Sequence, residues 1–248
     1  MTFFSNFELN IISALANQLV AAFDTLAVGP LTQASIDRLA KGQGVYQLFH
    51  DGRLVYIGKA DNLPRRISEH RRKIQGRRNI TVTDMGFKCL YVHKNWTALA
   101  PETSLIKHYK HNDRTVCTWN GNGFGPHDPG RERETTDKDP EGFDMLYPIR
   151  EDWVCDWISA GDVGCKELLE SLKAGLPYLL RYQTANSKRW RDGHPDYDRI
   201  VTVPRDNMPA NELLGHVARQ LPGWQATAFP SHMILYHEDH RYRHGVRL

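Results

Sequence analysis

The sequence predicts an α+β fold: a small antiparallel sheet flanked by helices, with helices before it and an α/β extension after it. Three observations predict it. Gly44–His50 and Arg53–Lys59 are β-branched and aromatic runs around Asp51-Gly52, the pattern of a hairpin. The segment "LPRRISEHRRKIQ" follows at once and reads as a helix with Pro64 in its first turn. Beyond about Tyr147, helical and strand-like runs alternate.

The elements follow in order. Helical spacing of apolar residues runs from about Phe7 to Leu26, and Pro30 breaks it. "SIDRLAKGQ" predicts a short helix with Ser35 as N-cap and Gly42 at its end. After the hairpin and its helix, "FKCLYVH" predicts a strand and "PETSLIKHYKH" a helix from near Pro101. Residues 119–143 are rich in Gly, Pro and Asp and read as a long loop, of the kind that is either functional or disordered in a compact domain. "CKELLESLKAGLPYLLRYQ" reads as helix then strand. "DRIVTVPRD", "PANELLGHVARQL" and "TAFPSHMILYHE" read as strand, helix, strand. The expected segments are 1–43, helical; 44–150, the domain built on the hairpin; and 151–248, an accessory α/β region.

Composition narrows the class. The chain has 248 residues, 40% hydrophobic and 25% charged, ordinary for a soluble globular protein. No apolar run approaches the roughly 18 residues of a membrane span. "MTFFSNFELNIISALANQLV" lacks a basic n-region and carries Glu8, so it reads as an amphipathic helix and not a signal peptide. Cys89, Cys117, Cys155 and Cys165 form no C-x-x-C pair, which favours a reducing, cytoplasmic setting.

Charge is uneven. Lys59, Arg65, Arg66, Arg71, Arg72, Lys73, Arg77 and Arg78 stand against only Asp61 and Glu69. That stretch carries eight minus two, or +6, in a chain of net +3. A cationic stripe on a slightly acidic body suits a phosphate backbone; the alternative is a solvated helix face.

The hairpin register decides where Tyr46 and Tyr56 point, because side chains alternate across a strand. A two-residue loop at Asp51-Gly52 puts the phenols on opposite faces. A three-residue loop, His50-Asp51-Gly52 with Gly52 left-handed, sets Tyr46 directly opposite Tyr56. The sequence reading takes the second form. Arg66 and His70, four apart, share a helix face. Glu102 lies three, four and seven residues before Leu105, Ile106 and Tyr109, hence on the inward stripe of its helix. An inward carboxylate there needs a cation or a metal.

The set "GVY" (Gly44–Tyr46), "YIG" (Tyr56–Gly58), Lys59, Arg66, His70 and Glu102 before a helix resembles the GIY-YIG nuclease domain, with Val45 in place of the middle Ile. Arg66-x-x-x-His70 together with "WNGNGFGPHDPG" and "FDMLYPIREDW" is similar to the type II restriction endonucleases of that superfamily that cut a G/C-only palindrome. The superfamily likeness covers about residues 44–120, and the restriction branch extends it to roughly 153.

The resemblance implies a small GIY-YIG-type antiparallel sheet. It also implies hydrolysis of double-stranded DNA with one divalent cation, Mg²⁺ with Mn²⁺ able to substitute. Glu102 is then the metal ligand, Arg66 the phosphate clamp and Tyr46 the base, with His70 taking its proton. Tyr56 hydrogen-bonds water or phosphate, and Lys59, Arg66 and His70 make a phenolate accessible. Asn120 matches the family's closing Asn, with Asn122 close behind. Arg65, Arg71, Arg72, Lys73, Arg77 and Arg78 fix the backbone, and Arg131 and Arg133 suit base or phosphate contact. A palindromic target implies a homodimer. Trp119, Phe124 and His127 either read a groove or pack the loop down. His232, His237, His240 and His244 read as surface histidines, although His237 and His240 also have metal-ligand chemistry. Competing functions are a structure-specific repair nuclease and a DNA-binding module with a vestigial site.

Overall fold

The structure, a computed structural model, describes residues 11–92, 101–125, 134–183 and 193–248. The chain divides into two compact units, Met1–Arg71 with Thr81–Gly125, and Arg72–Ile80 with Pro126–Leu248. The N-terminal helices thus pack within the first unit, and residues 134–150 go with the second. Mixed helices and antiparallel strands make the fold α+β, as the sequence predicts.

In the first unit, helix α1 (Ile11–Asp24) leads to a two-residue strand β1 (Gly29–Pro30) and a short helix α2 (Gln33–Asp37). Thr32, not Ser35, caps α2: the Thr32 hydroxyl accepts from the Ser35 N–H at 3.2 Å. Ser35 already lies inside the helix. Strands β2 (Gly44–His50), β3 (Arg53–Ala60) and β4 (Met85–Tyr91) complete a four-stranded antiparallel sheet in the order β1-β4-β2-β3. Helix α3 (Leu63–Gln75) follows β3, and α4 (Pro101–Asn112) follows β4. Pro30 ends no helix; it sits at the sheet edge opposite Gly86, where proline's missing N–H is tolerated.

One face of this sheet forms the core. Val45, Phe49, Leu54 and Ile57 pack with Leu15, Leu19 and Phe23 of α1 and Leu105 of α4. Two polar bonds fix the cover. Buried Gln47 donates to the Tyr109 hydroxyl at 3.0 Å, and Lys88 donates to the Phe23 carbonyl at 3.0 Å.

The second unit carries α5 (Phe143–Leu146), β5 (Gly161–Gly164), α6 (Cys165–Gly175), β6 (Leu179–Tyr182), β7 (Ile200–Val203), α7 (Ala210–Gln220), β8 (Trp224–Ala228), β9 (His232–His237) and β10 (Val246–Arg247). "TAFPSHMILYHE" is two strand pieces and not one, because Phe229-Pro230-Ser231 turns the chain between β8 and β9. A sheet of order β10-β8-β9-β6 and a β5–β7 pair share a core that includes Leu169, Leu213, Met233 and Leu235. Among the described residues no helix is long and apolar enough to cross a membrane.

Two charged networks hold this unit. Arg77, 4% exposed at its side chain, meets Asp144 at 2.8 Å and donates to the carbonyls of Tyr147 and Pro230. Removing one partner strands a buried charge, so Asp144→Ala is expected to destabilise by about 3–5 kcal/mol in denaturant titration. A loss under 1 kcal/mol would contradict the pair's structural role. In the other network, Glu134 Oε1 accepts from Arg181 at 2.9 Å and meets His232 Nε2 at 3.1 Å, while Ser231 Oγ meets His232 Nδ1 at 2.7 Å. His232 is fully buried, so it is not the surface histidine expected from sequence. His237 and His240 are exposed, and no group of three metal-ligating side chains occurs among the described residues.

Burial alone would raise Glu134, but His232, a backbone bond and Arg181 outweigh it and draw the carboxyl from 4.5 to about 2. Burial pushes His232 below its ordinary 6.5, which keeps the ring neutral. The signs agree. The Glu134 contribution is present above 4.5 and is lost as pH falls toward about 2. Unfolding frees His232 to protonate below 6.5, which also favours the unfolded chain in acid. Thermal scans are expected to show Tm falling steadily between about pH 7 and about pH 3, with Glu134→Gln flattening the more acidic part. A Tm that is level or rises over that range would contradict the network.

Candidate active site

The face of the first sheet opposite the α1–α4 core carries the phenols. The turn is the two-residue form: Asp51 (φ 48°) and Gly52 (φ 75°) are both left-handed, and His50 pairs with Arg53. The three-residue loop expected from sequence is therefore wrong. Its consequence survives by another route. Phe49 pairs with Leu54 but Leu48 pairs with Tyr56, so Val55 is an extra residue, a bulge inside β3. The bulge restores the parity that the turn would have broken. Tyr46 and Tyr56 share a face, with ring centroids 6.1 Å apart. Tyr46 stands opposite Gly58, not Tyr56. Its phenol lies over that glycine: a Cβ on Gly58 would come within 2.2 Å of Tyr46 Oη.

Helix α3 closes over the phenols. Leu63, Ile67, His70 and Ile74 follow one another at four-, three- and four-residue steps, and all are buried. That stripe carries His70 inward as if it were an apolar residue. Its Nε2 meets Tyr46 Oη at 2.7 Å. Arg66, one turn earlier, donates from Nε to the same oxygen at 3.2 Å and from Nη1 to Glu69 at 3.0 Å. The Arg66 side chain is 25% exposed, while Tyr46 is completely buried. The guanidinium thus stands between the phenol and solvent.

Burial raises the Tyr46 phenol well above 10; Tyr56 and Glu102 add to the rise, and Arg66 only partly opposes it. The expectation that neighbouring cations lower this phenol is corrected here, because desolvation outweighs the one cation acting on it. Lys59 is exposed and pairs with Val45, so alternation puts it on the other face of the sheet. Glu102 is half-buried on the first turn of α4, two turns before the Tyr109 that Gln47 holds. It acts on Tyr46 electrostatically from there.

The segment after α4 runs along the free edge of β3. Cys117 and Trp119 donate their N–H groups to the Leu54 and Val55 carbonyls, both at 2.9 Å. Asn120 then plays the part of a backbone unit: Oδ1 accepts from the Ile57 N–H at 2.9 Å and Nδ2 donates to the Ile57 carbonyl at 2.8 Å. Asn120 therefore holds the strand that carries Tyr56, whereas the Asn122 N–H bonds the Trp119 carbonyl at 3.4 Å. Trp119 and Phe124 are buried and pack the loop down. Phe124 stacks on His70 (4.9 Å, 18°) and meets Tyr56 edge-on at 4.9 Å. Sequence reasoning left Phe124 undecided and missed the part played by Gly58.

The cationic stripe is only partly a surface. Arg65 is exposed, and Arg71 is half-buried with an Nε that has no partner among the described residues. Arg72 donates to the carbonyls of Ala174 and Leu176, Lys73 stands over the Phe143 ring, and Arg77 is buried on Asp144. Arg78 reaches Glu151 and Asp152. For buried Arg77 the phosphate-contact expectation is corrected, whereas Arg72 and Arg78 are exposed and Lys73 is half-buried. Arg131, Arg133 and His127 lie outside the described residues.

Glu102 fits a divalent cation of the hard, oxygen-liganded kind: one half-buried carboxylate on the inward stripe, close enough to perturb the phenol. A single carboxylate leaves most ligand positions to water and phosphate, as Mg²⁺ prefers.

A family model, the Eco29kI GIY-YIG domain, matches residues 51–155. The match includes Tyr56, Arg66, His70, Glu102 and Asn120, and begins after Tyr46, whose place in the site rests on the geometry above. No curated protein matches the chain.

Proposed function

We propose, from the premise that residues 51–155 belong to the Eco29kI GIY-YIG family of type II restriction endonucleases, that this chain hydrolyses DNA phosphodiester bonds at a short G/C-rich palindrome. One divalent cation and a tyrosine base serve the reaction. The observation that carries the reading is the shared oxygen: Tyr46 Oη is bonded to both His70 Nε2 and Arg66 Nε.

The residues divide the work. Arg66 donates to Tyr46 Oη, so the phenolic proton points toward His70. As Tyr46 takes a proton from water, its own passes to His70, and no phenolate of raised pKa has to accumulate. The hydroxide attacks phosphorus and the 3′-oxygen leaves. A substrate phosphate competes with Tyr46 and Glu69 for Arg66, and drawing the guanidinium outward uncovers Tyr46 Oη to water. Arg66 then neutralises the transition state with a permanent charge. Glu102 would hold Mg²⁺, which when bound supplies Lewis-acid stabilisation of the phosphate and the leaving oxygen. Tyr56 orients water or phosphate beside Tyr46. The palindrome calls for two copies of the chain on DNA.

Phosphate contact from the stripe rests first on Arg65 and Arg71, on the helix that carries Arg66, while the Arg72 guanidinium is engaged by the Ala174 and Leu176 carbonyls. Arg65→Ala is expected to reduce the salt slope of DNA binding by about 1, and Arg72→Ala to leave it unchanged. Equal effects would return Arg72 to the interface.

The test of the function is plasmid DNA incubated with the protein and Mg²⁺. Discrete fragments with G/C-palindromic ends support it. Nicking only at branches or lesions supports a repair nuclease, and a shift without cutting supports a binding module.

A further inference from the structure

We infer that Glu69 is a positioning residue for Arg66, a latch that holds the guanidinium over the Tyr46 hydroxyl until a DNA phosphate displaces the carboxylate. The inference deepens the nuclease reading and rests on it for its consequence, while its substance is side-chain geometry. Arg66 stands between two later residues of α3. His70, four positions on, turns inward to Tyr46; Glu69, three positions on, turns outward, its side chain 48% exposed. The guanidinium spans the two sides: Nε donates to Tyr46 Oη at 3.2 Å and Nη1 to Glu69 Oε2 at 3.0 Å. The other Glu69 oxygen meets Arg65 Nε at 3.5 Å.

The bond to Glu69 is what makes a latch. A guanidinium grips a phosphate through one of two paired edges, Nε with Nη2 or Nη1 with Nη2. Tyr46 has taken one donor of the first edge and Glu69 one donor of the second. An arriving phosphate therefore displaces one of them, and displacing Glu69 frees the cation to move outward and uncover the phenol. The Arg66–Glu69 pair is on the surface side of the helix, so it yields: a pair of this kind is worth up to about fivefold in affinity. The carboxylate also repels a phosphate that comes beside Arg66, which adds to the threshold. A loosely held anion leaves Arg66 on Tyr46, whereas a phosphate fixed by the rest of the DNA contact releases it.

The test is Glu69→Gln in the whole chain, which keeps the side-chain shape and removes its charge. KM for DNA is expected to fall about three- to tenfold with kcat within about twofold of the parent, because Arg66 meets the phosphate in the transition state of both proteins. The same fall in an Arg65→Gln background assigns it to Arg66, and a fall that vanishes there overturns the inference. A drop in kcat with KM unmoved would make Glu69 an aligner of Arg66 in the transition state. No change in either would make the pair a solvated helix contact. Both results overturn the latch. A second readout needs no activity: inorganic phosphate is titrated into the metal-free protein and followed by the Arg66 Nε–H signal in ¹H–¹⁵N spectra. The half-saturating concentration is expected to be about threefold lower, or more, in Glu69→Gln. Equal half-saturation in the two proteins overturns the inference. If the parent cuts no DNA, the nuclease reading fails and the phosphate titration alone decides whether Glu69 latches Arg66.

Discussion

Replacing Glu102 by Gln is expected to abolish DNA cleavage and to leave DNA binding intact. The substitution keeps the shape and hydrogen-bonding reach of the side chain and removes its charge. In the proposed site that charge holds a divalent cation beside the scissile phosphate. Losing a Lewis acid removes several kcal/mol of transition-state stabilisation, and each 1.36 kcal/mol is tenfold, so a fall of about a thousandfold or more is expected. Binding rests on the cations and is expected to hold or strengthen, since an acid near the phosphate is gone. Gel shift without divalent ion and cleavage with Mg²⁺ separate the two. A variant that cuts at the parent rate would remove Glu102 from the metal site.

Gly58→Ala is the second substitution with a large expected effect, and it touches no charged group. A Cβ there meets Tyr46 Oη at 2.2 Å and Cζ at 2.4 Å, distances that real Cβ atoms do not adopt. Either the phenol leaves its bonds to His70 and Arg66 or the β2–β3 pair opens. The expected result is a cleavage rate down about 100-fold, from displacement of a reacting group, with a stability loss of about 1–3 kcal/mol. Single-turnover cleavage and denaturant titration measure the two. Parent-like values of both would mean that Tyr46 does not work where it lies.

What the sequence disclosed depended on how local each signal was. The α3 segment and the outline of the hairpin were readable because propensity and spacing act over a few residues. The register was not. Asp51-Gly52 could turn in two ways, and the deciding feature was a bulge at Val55, which no side chain announces. It is fixed by non-local partners, the Trp119 N–H among them. The shared face of the phenols was thus reached correctly by an incorrect turn.

The site residues Tyr46, Arg66 and His70 were found as a set because two periodicities point them together. Their electrostatics were not, because counting neighbouring cations takes no account of desolvation. The stripe was legible only in part for a similar reason. Arg72, Arg77 and Arg78 look alike on paper, but their partners Ala174, Asp144 and Glu151 come from more than sixty positions away. Likewise His232 reads as a surface histidine until Glu134, itself held by Arg181, reaches it.

The most direct measurement is a crystal structure of the chain on a DNA duplex it cuts, grown with Ca²⁺ to hold the substrate uncleaved. The account predicts one phosphodiester with Arg66 on its nonbridging oxygen, an ion about 2.3–2.6 Å from the Glu102 carboxylate, and Tyr46 Oη facing the phosphorus opposite the 3′-oxygen. A duplex seated with its scissile phosphate away from Tyr46, or an ion held by residues other than Glu102, would contradict it.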